Sequence, residues 1–146
     1  MSLLQTVTTS FKVELMQGVH NFGPTSPDTF KIALYDDSAN LGPSTTTYLT
    51  EHEITGAGYT AGGATLVISA TPVSGVNSAS VPTAYVSFDN VSWTGSLTAR
   101  GALIYNSSKG NKSVAVLDFG ATKTSATVFQ IQFPVADANN AIVRIS

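Results

Sequence analysis

The chain contains no cysteine and few charged residues. Without cysteine, a disulfide framework, thiol catalysis and a zinc–thiolate site are all excluded. Charged residues make up 11% of the 146 positions, against about 25% in an ordinary soluble domain. The net charge of −2 disfavours a general nucleic-acid binder, because such proteins depend on many Lys and Arg contacts to phosphate.

Long apolar runs are missing as well. No stretch approaches the roughly 18 consecutive apolar residues of a membrane-spanning helix, and residues 1–6 lack the basic and apolar regions of a classical export signal. We therefore expect no membrane partner and synthesis in a cytoplasm, with export by another route left open. A hydrophobic content of 42%, in strand-like runs, argues against intrinsic disorder.

Serine and threonine take the place of the missing charges. The chain has 17 Ser and 19 Thr, and residues 54–88 contain neither a charged residue nor a histidine. A folded monomer of 15.2 kDa exposes about 7,100 Å² by the size-scaling rule, which leaves about 440 Å² of surface for each charged side chain. Either neutral polar residues cover an exposed surface, or part of that surface is buried in an assembly.

Short strands dominate the middle and the end of the chain. Runs rich in β-branched and aromatic residues alternate with turns that contain Gly, Pro, Asn and Asp. They predict an all-β domain over residues 24–146, an antiparallel β-sandwich or barrel of about seven to nine short strands. The predicted strands cover residues 29–35, 64–69, 84–88, 98–105, 113–119, 128–133 and 141–145, with shorter candidates at 48–54 and 91–93 and a loop at 72–82.

The first 23 residues differ from this pattern and form a separate helix or arm. Thr9 or Ser10 is predicted to cap a short helix over residues 11–17, which Gly18 ends. Apolar side chains recur at helical spacing, namely Leu4, Val7, Phe11 and Leu15. The segment is interpreted either as a helix packed on the domain or as an arm that docks on a neighbouring molecule.

Candidate catalytic and metal-binding residues are scarce. The chain has two histidines, His20 and His52. In a strand, Glu51 and Glu53 would share one face while His52 points to the other, so this group predicts solvated residues rather than a metal site. No Gly-x-Ser-x-Gly motif is present. We therefore predict no catalytic, cofactor-binding or metal-binding residue, no cofactor and no enzyme activity.

Other features favour structural roles over chemical ones. The glycine-rich segment 56–63 lacks the spacing of a phosphate-binding loop and predicts a turn. Asp118 lies in an apolar strand, where a hydrogen bond to the backbone or to Arg100 accounts for it without catalysis. Trp93 and the five tyrosines predict core or interface positions. Stacking of these rings on sugars keeps a carbohydrate-binding β-sandwich module as an alternative.

Several segments are similar to small structural proteins of tailed bacteriophages. They are TFKIALY at 29–35, GYTAGG at 58–63, TARGALIYN at 98–106, VAVLDFG at 114–120 and the closing IVRI at 142–145. The resemblance implies a non-enzymatic virion component present in many copies, assembled in the host cytoplasm. The expected role is a capsid decoration or cement protein, and the alternative is a neck, tail or fibre component.

The resemblance also implies partners. We expect copies of the chain itself and other virion proteins such as the major capsid protein, and a trimer would suit threefold positions on a capsid. The apolar arm at residues 2–15 and the uncharged loop at 72–82 are predicted to make intermolecular contacts.

Overall fold

The computed structural model describes residues 2–146, which form ten strands and one α-helix. Two of the strands have only two residues each, so eight longer strands fall within the predicted seven to nine. The elements are β1 (Thr6–Val7), α1 (Thr9–Met16), β2 (Phe30–Tyr35), β3 (Ala64–Thr65), β4 (Ile68–Val76), β5 (Pro82–Phe88), β6 (Val91–Thr94), β7 (Thr98–Asn106), β8 (Lys112–Thr124), β9 (Val128–Ile131) and β10 (Val143–Ile145), with a 3₁₀ turn at Ser107–Lys109.

The strands form three antiparallel sheets. The largest has the order β1-β8-β7-β2-β3, the second has the order β10-β5-β4, and the third pairs β6 with β9. β2 and β7 lie in the interior of the largest sheet and run in register from Phe30 opposite Asn106 to Tyr35 opposite Gly101. The predicted all-β fold with a short N-terminal helix is therefore confirmed.

The interior strands of the five-stranded sheet are buried on both faces. In β2, Ile32 and Leu34 contribute to a core shared with the two smaller sheets, whereas Ala33 and Tyr35 belong to a second core on the opposite face. All four side chains are 0% exposed. Residues from the smaller sheets close the first core, namely Val86, Phe88, Trp93, Phe129, Ile131 and Val143. The loop after β2 closes the second with Ala39, Leu41 and Tyr48.

The N-terminal segment packs on its own domain, the first of the two predicted arrangements. β1 pairs with β8, and Thr8 caps α1 by accepting a hydrogen bond from the backbone N–H of Phe11. The helix therefore begins two residues earlier than predicted. Phe11 is the one residue of α1 that is fully buried, Leu4 is exposed and Val7 lies in β1. The predicted four-residue apolar face of a helix is thus wrong.

The predicted loop over residues 72–82 is instead most of a β-hairpin. β4 and β5 occupy its two sides, and only residues 77–81 form the turn. Pro72 is tolerated in β4 because this strand is at a sheet edge, where a missing N–H can face away from the ladder. The register between β4 and β5 shifts twice between Ile68 and Val73, which marks bulges in the edge strand.

Gly63 precedes β3 and lies against the backbone of β2. Its φ is +77°, and a Cβ built there would lie 1.8 Å from the carbonyl oxygen of Ile32. Gly110 has a similar φ of +65° but no atom within 4 Å of such a Cβ. Both glycines relieve the strain of a left-handed backbone, but only Gly63 also allows a close backbone contact.

We predict that Gly63→Ala destabilises the fold more than Gly110→Ala. The control variant carries only the left-handed penalty, about 1–2 kcal/mol. Gly63→Ala must in addition displace the backbone of β2, so its total cost should be about 3 kcal/mol or more. Urea titration gives both free energies of unfolding. Equal losses for the two variants would contradict the close contact with Ile32.

Candidate interaction surface

Strand β4 has no buried residue along its nine positions. A strand in a layered antiparallel fold normally buries the side chains of one face. Its partner β5 does so at Thr83 and from Val86 to Phe88. β4 is also an outer strand, because the sheet order is β10-β5-β4. Within one copy of the chain, β4 pairs only with β5, and only Ile68, Ala70 and Gly75 of its nine residues are half-buried.

The same strand belongs to the stretch that lacks charge. We call β4, β5 and the turn between them, residues 68–88, the uncharged hairpin. Val73 and Val76 on β4 and Val81 in the turn are exposed, as is Val67 just before it. Natural edge strands usually carry charges that prevent pairing with another chain. The uncharged hairpin has no such charge.

The turn of the uncharged hairpin is held in one conformation. The side-chain oxygen of Asn77 accepts hydrogen bonds from the N–H groups of Ala79 and Val81, at 2.9 and 3.1 Å. Asn139 accepts a third, from the N–H of Ser78 at 2.8 Å. Because the hairpin is ordered within the free chain, a partner can bind it with a small loss of conformational entropy.

A second apolar surface lies between α1 and β10. These elements bound a groove of about 550 Å³ lined mainly by apolar side chains, namely Val7, Phe11, Leu15, Met16, Val143 and Ile145. Met16 is 83% exposed and Ile145 is also exposed. Lys12 and Arg144 are the charged residues of the lining, and the Arg144 guanidinium donates a hydrogen bond to the carbonyl of Asn139. We call this feature the helix groove.

Glu53 is the centre of a polar network that the sequence did not predict. Its carboxylate accepts hydrogen bonds from the hydroxyls of Tyr48 and Tyr59, at 2.5 and 2.7 Å, and from the N–H of Gly62 at 2.7 Å. The Tyr105 hydroxyl donates to the carbonyl of Gly62. This network ties residues 48–63 to the five-stranded sheet.

The tyrosines around Glu53 are held in their neutral form. Burial, with the Glu53 charge as second cause, raises the pKa of Tyr105 to about 12. Burial, followed by the hydrogen bond to Glu53, also raises the pKa of Tyr48 and of Tyr59. Burial is the main reason for the raised pKa of Tyr35 as well. These phenols act as hydrogen-bond donors, not as acids near neutral pH.

His20 belongs to a second buried network, at the C-terminal end of α1. Its ring is 0% exposed, with Nε2 3.0 Å from Glu14 and Nδ1 2.9 Å from the amide nitrogen of Asn106. That nitrogen also donates to Asp28, and Asn106 Oδ1 accepts from the N–H of Ser108. The Asn106 amide orientation is therefore fixed, so Nδ1 of His20 accepts and Nε2–H donates to Glu14.

Both ring nitrogens of His20 are thus engaged in holding α1 and the segment before β2 against the end of β7. Lys109 and Lys112 extend the network by pairing with Asp28 and Glu14. Burial, the largest single influence, raises the pKa of Asp28, but the hydrogen bonds from Asn106, the Asn21 backbone and Lys109 together leave it below its ordinary value. Neither nitrogen of His20 is hydrogen-bonded to a hydroxyl, as a general base would be.

The remaining sequence candidates lie apart from one another. Residues 51–53 form a turn and an isolated bridge rather than a strand, so Glu51 is 83% exposed while Glu53 is turned to the tyrosines. His52 is near Asp36, at 3.5 Å. The prediction of solvated residues is confirmed for Glu51 and wrong for Glu53. Within residues 2–146, no group of three or more His, Asp or Glu could hold a metal ion.

The predictions for Asp118, Trp93 and the glycine-rich segment are confirmed. Arg100 and the N–H of Gly120 donate hydrogen bonds to the Asp118 carboxylate and lower its pKa, with the Arg100 bond as the main cause. Trp93 is 7% exposed and packs in the core against Phe129. A turn followed by a strand, not a helix, occupies residues 56–65.

Comparison with protein-family models, with curated proteins and with solved structures found no match to this chain. In the described part of the chain, residues 2–146, no helix has the length and apolar character needed to cross a membrane. The role of the protein is therefore inferred from its own residues and surfaces.

We predict that Glu53→Ala lowers the free energy of unfolding by about 3 kcal/mol, because it leaves three donors without their charged acceptor. Glu53→Gln keeps one acceptor oxygen and should lose less. Glu51→Ala, two residues away and exposed, is the matched control and should change stability by less than about 0.5 kcal/mol. Urea titration measures all three. Similar losses at positions 51 and 53 would contradict the network.

We also predict that stability falls at alkaline pH. Tyr35, Tyr48, Tyr59 and Tyr105 all have raised pKa values in the folded chain. The tyrosines stabilise the fold fully below about pH 10, the pKa of a tyrosine in the unfolded chain. Above that pH the free energy of unfolding decreases by about 1.4 kcal/mol per pH unit for each tyrosine that is protonated in the folded chain and ionised in the unfolded chain. Urea titrations across this range measure the slope. The slope for Tyr48→Phe should be shallower, and an unchanged slope would contradict the assignment.

Proposed function

We propose that the protein is a non-enzymatic structural subunit that assembles with other proteins through the uncharged hairpin. The observation that carries this proposal is the state of β4, a nine-residue edge strand with no buried residue and no charge. Such a strand is a template for pairing with another chain.

Burial of this hairpin is energetically favourable. No charged group has to leave water, so the large cost of desolvating an ion does not arise. Each apolar Å² removed from water contributes about 25 cal/mol. A standard interface buries about 800 Å² on each partner, roughly a ninth of the 7315 Å² surface of the chain. Val73, Val76 and Val81 supply apolar atoms for such a contact.

The polar groups of the chain support a structural role. His20 uses both ring nitrogens to hold α1, Glu53 holds residues 48–63, and Asp118 is paired with Arg100. These three groups thus serve to position segments of the chain.

We propose further that the assembly is the virion of a tailed phage, with the chain decorating or cementing the capsid. The proposal is supported by the resemblance of residues 29–35, 98–106 and 114–120 to small phage structural proteins. These residues include most of β2, β7 and β8, the interior strands of the largest sheet. The resemblance therefore concerns the scaffold of the fold, while the uncharged hairpin would supply the contact surface.

We predict that Val76→Asp weakens self-association and capsid binding at least tenfold, because a carboxylate would be buried in the contact. Val135→Asp is the control, since Val135 is equally exposed but lies outside the hairpin. Light scattering measures the mass in solution, and co-sedimentation measures binding to capsids that lack the protein. A protein that is strictly monomeric in solution and does not bind capsids would overturn the proposal.

Gel densitometry of purified particles then separates the two virion positions. A capsid protein should be present in numbers comparable with those of the major capsid protein. A neck, tail or fibre component should be present in far fewer copies.

A further inference from the structure

We infer that copies of this chain join head to tail, with the free edge of β4 from one copy entering the helix groove of the next and pairing with β10. This inference rests on the proposed role as an assembling subunit and specifies the contact. It commits to a second copy as the occupant of the groove.

The two surfaces are the opposite edges of one sheet. In the order β10-β5-β4, β5 is the middle strand and both outer strands lack a second neighbour in the sheet. Placing β4 of one copy beside β10 of another therefore continues the same sheet across the contact. All strand pairs already present in this sheet are antiparallel.

Hydrogen-bonding groups on β4 point outward toward such a partner. The N–H of Asn77 bonds to the carbonyl of Val81, so position 77 faces β5. Because bonded positions alternate in an antiparallel ladder, Ser74 and Val76 direct their N–H and C=O groups away from β5. The register agrees with this assignment, because Val76 lies opposite Pro82, and a proline has no N–H group that could bond to Val76.

The same alternation continues across β5 to β10. Tyr85 faces β4 in this pattern, so Ala84 and its neighbour Val86 face β10. On β10, Val143 and Ile145 then bond to β5, and Arg144 between them directs its N–H and C=O groups outward. All three residues of β10 line the helix groove, and no residue of β5 does.

The groove suits an uncharged strand. Its lining is apolar apart from Lys12 and Arg144, and the guanidinium of Arg144 already contacts Asn139. A strand that brings a positive charge into it would bury that charge beside these two cations, at a high energetic cost. β4 brings none, and its exposed Val76 matches the exposed Met16 and Ile145 of the groove.

Pairing of two β4 strands with each other would account for only one of the two apolar surfaces. It would leave the helix groove, with the exposed side chains of Met16 and Ile145, uncovered in the assembly. Contact between two different surfaces covers one of each kind, and the resulting pair of copies still presents one free surface of each kind. Such contacts close into rings or continue as filaments, depending on the rotation between neighbours.

The absence of cysteine makes a clean cross-linking experiment available. Val76→Cys marks the hairpin, Met16→Cys marks the groove, and Val135→Cys marks an exposed position outside both. The full-length single-cysteine variants are mixed in pairs and treated with a short thiol-reactive cross-linker. All three positions are exposed, so the variants should fold, and circular dichroism checks this.

The mixture of Val76→Cys with Met16→Cys should give cross-linked dimers at least tenfold more efficiently than either variant alone or either one mixed with Val135→Cys. Dimers from Val76→Cys alone would show hairpin-to-hairpin pairing and overturn the inference. An oligomer in light scattering with no cross-link between positions 76 and 16 would also overturn it but leave the proposed function intact. A protein that is monomeric in solution and does not bind capsids would overturn both.

Discussion

The burial of β2 and β7 on both faces is the constraint on which the rest of the structure depends. Ile32 and Leu34 require cover on one side of the sheet, and Ala33 and Tyr35 require it on the other. One face is closed by the two smaller sheets and the other by a long loop, which must be fixed in place without regular secondary structure.

Glu53 provides that fixation. Its carboxylate joins two tyrosines and one backbone N–H at one point, and hydrogen bonds to a charged acceptor are stronger than those between neutral groups. Tyr59 also accepts a hydrogen bond from the N–H of Leu34 in β2. The carboxylate thus reinforces the isolated backbone bridges, Glu53 to Tyr35 and Thr47 to Lys112, that connect the covering loop to the sheet.

The amino-acid sequence predicts the elements whose structure is determined by their own side-chain pattern. It is less informative about elements that depend on contacts with distant parts of the chain. Strands such as β2, β5 and β7 were predictable because β-branched and aromatic residues cluster in them. The contact predicted for residues 72–82 stays a prediction, and Pro72 and Gly75 suggested a loop where the chain forms an edge strand. Residues suited to an edge resemble those of a turn, because neither position needs every backbone N–H bonded. The Glu53 network could not be predicted, since its members meet only after the loop has folded over the sheet.

The two register shifts in β4 limit the pairing that its free edge can make with another strand. A long, regular, uncharged edge would pair with any exposed strand during synthesis and lead to aggregation. The bulges and Pro72 interrupt β4 early, so that regular pairing with β5 is limited to its last four residues, Val73 to Val76. A partner strand on the outer edge meets the same short stretch and gains only a few hydrogen bonds. In the proposed assembly each contact would then be weak alone, and stable attachment would require many copies held together on a common surface, where the effective concentration is high.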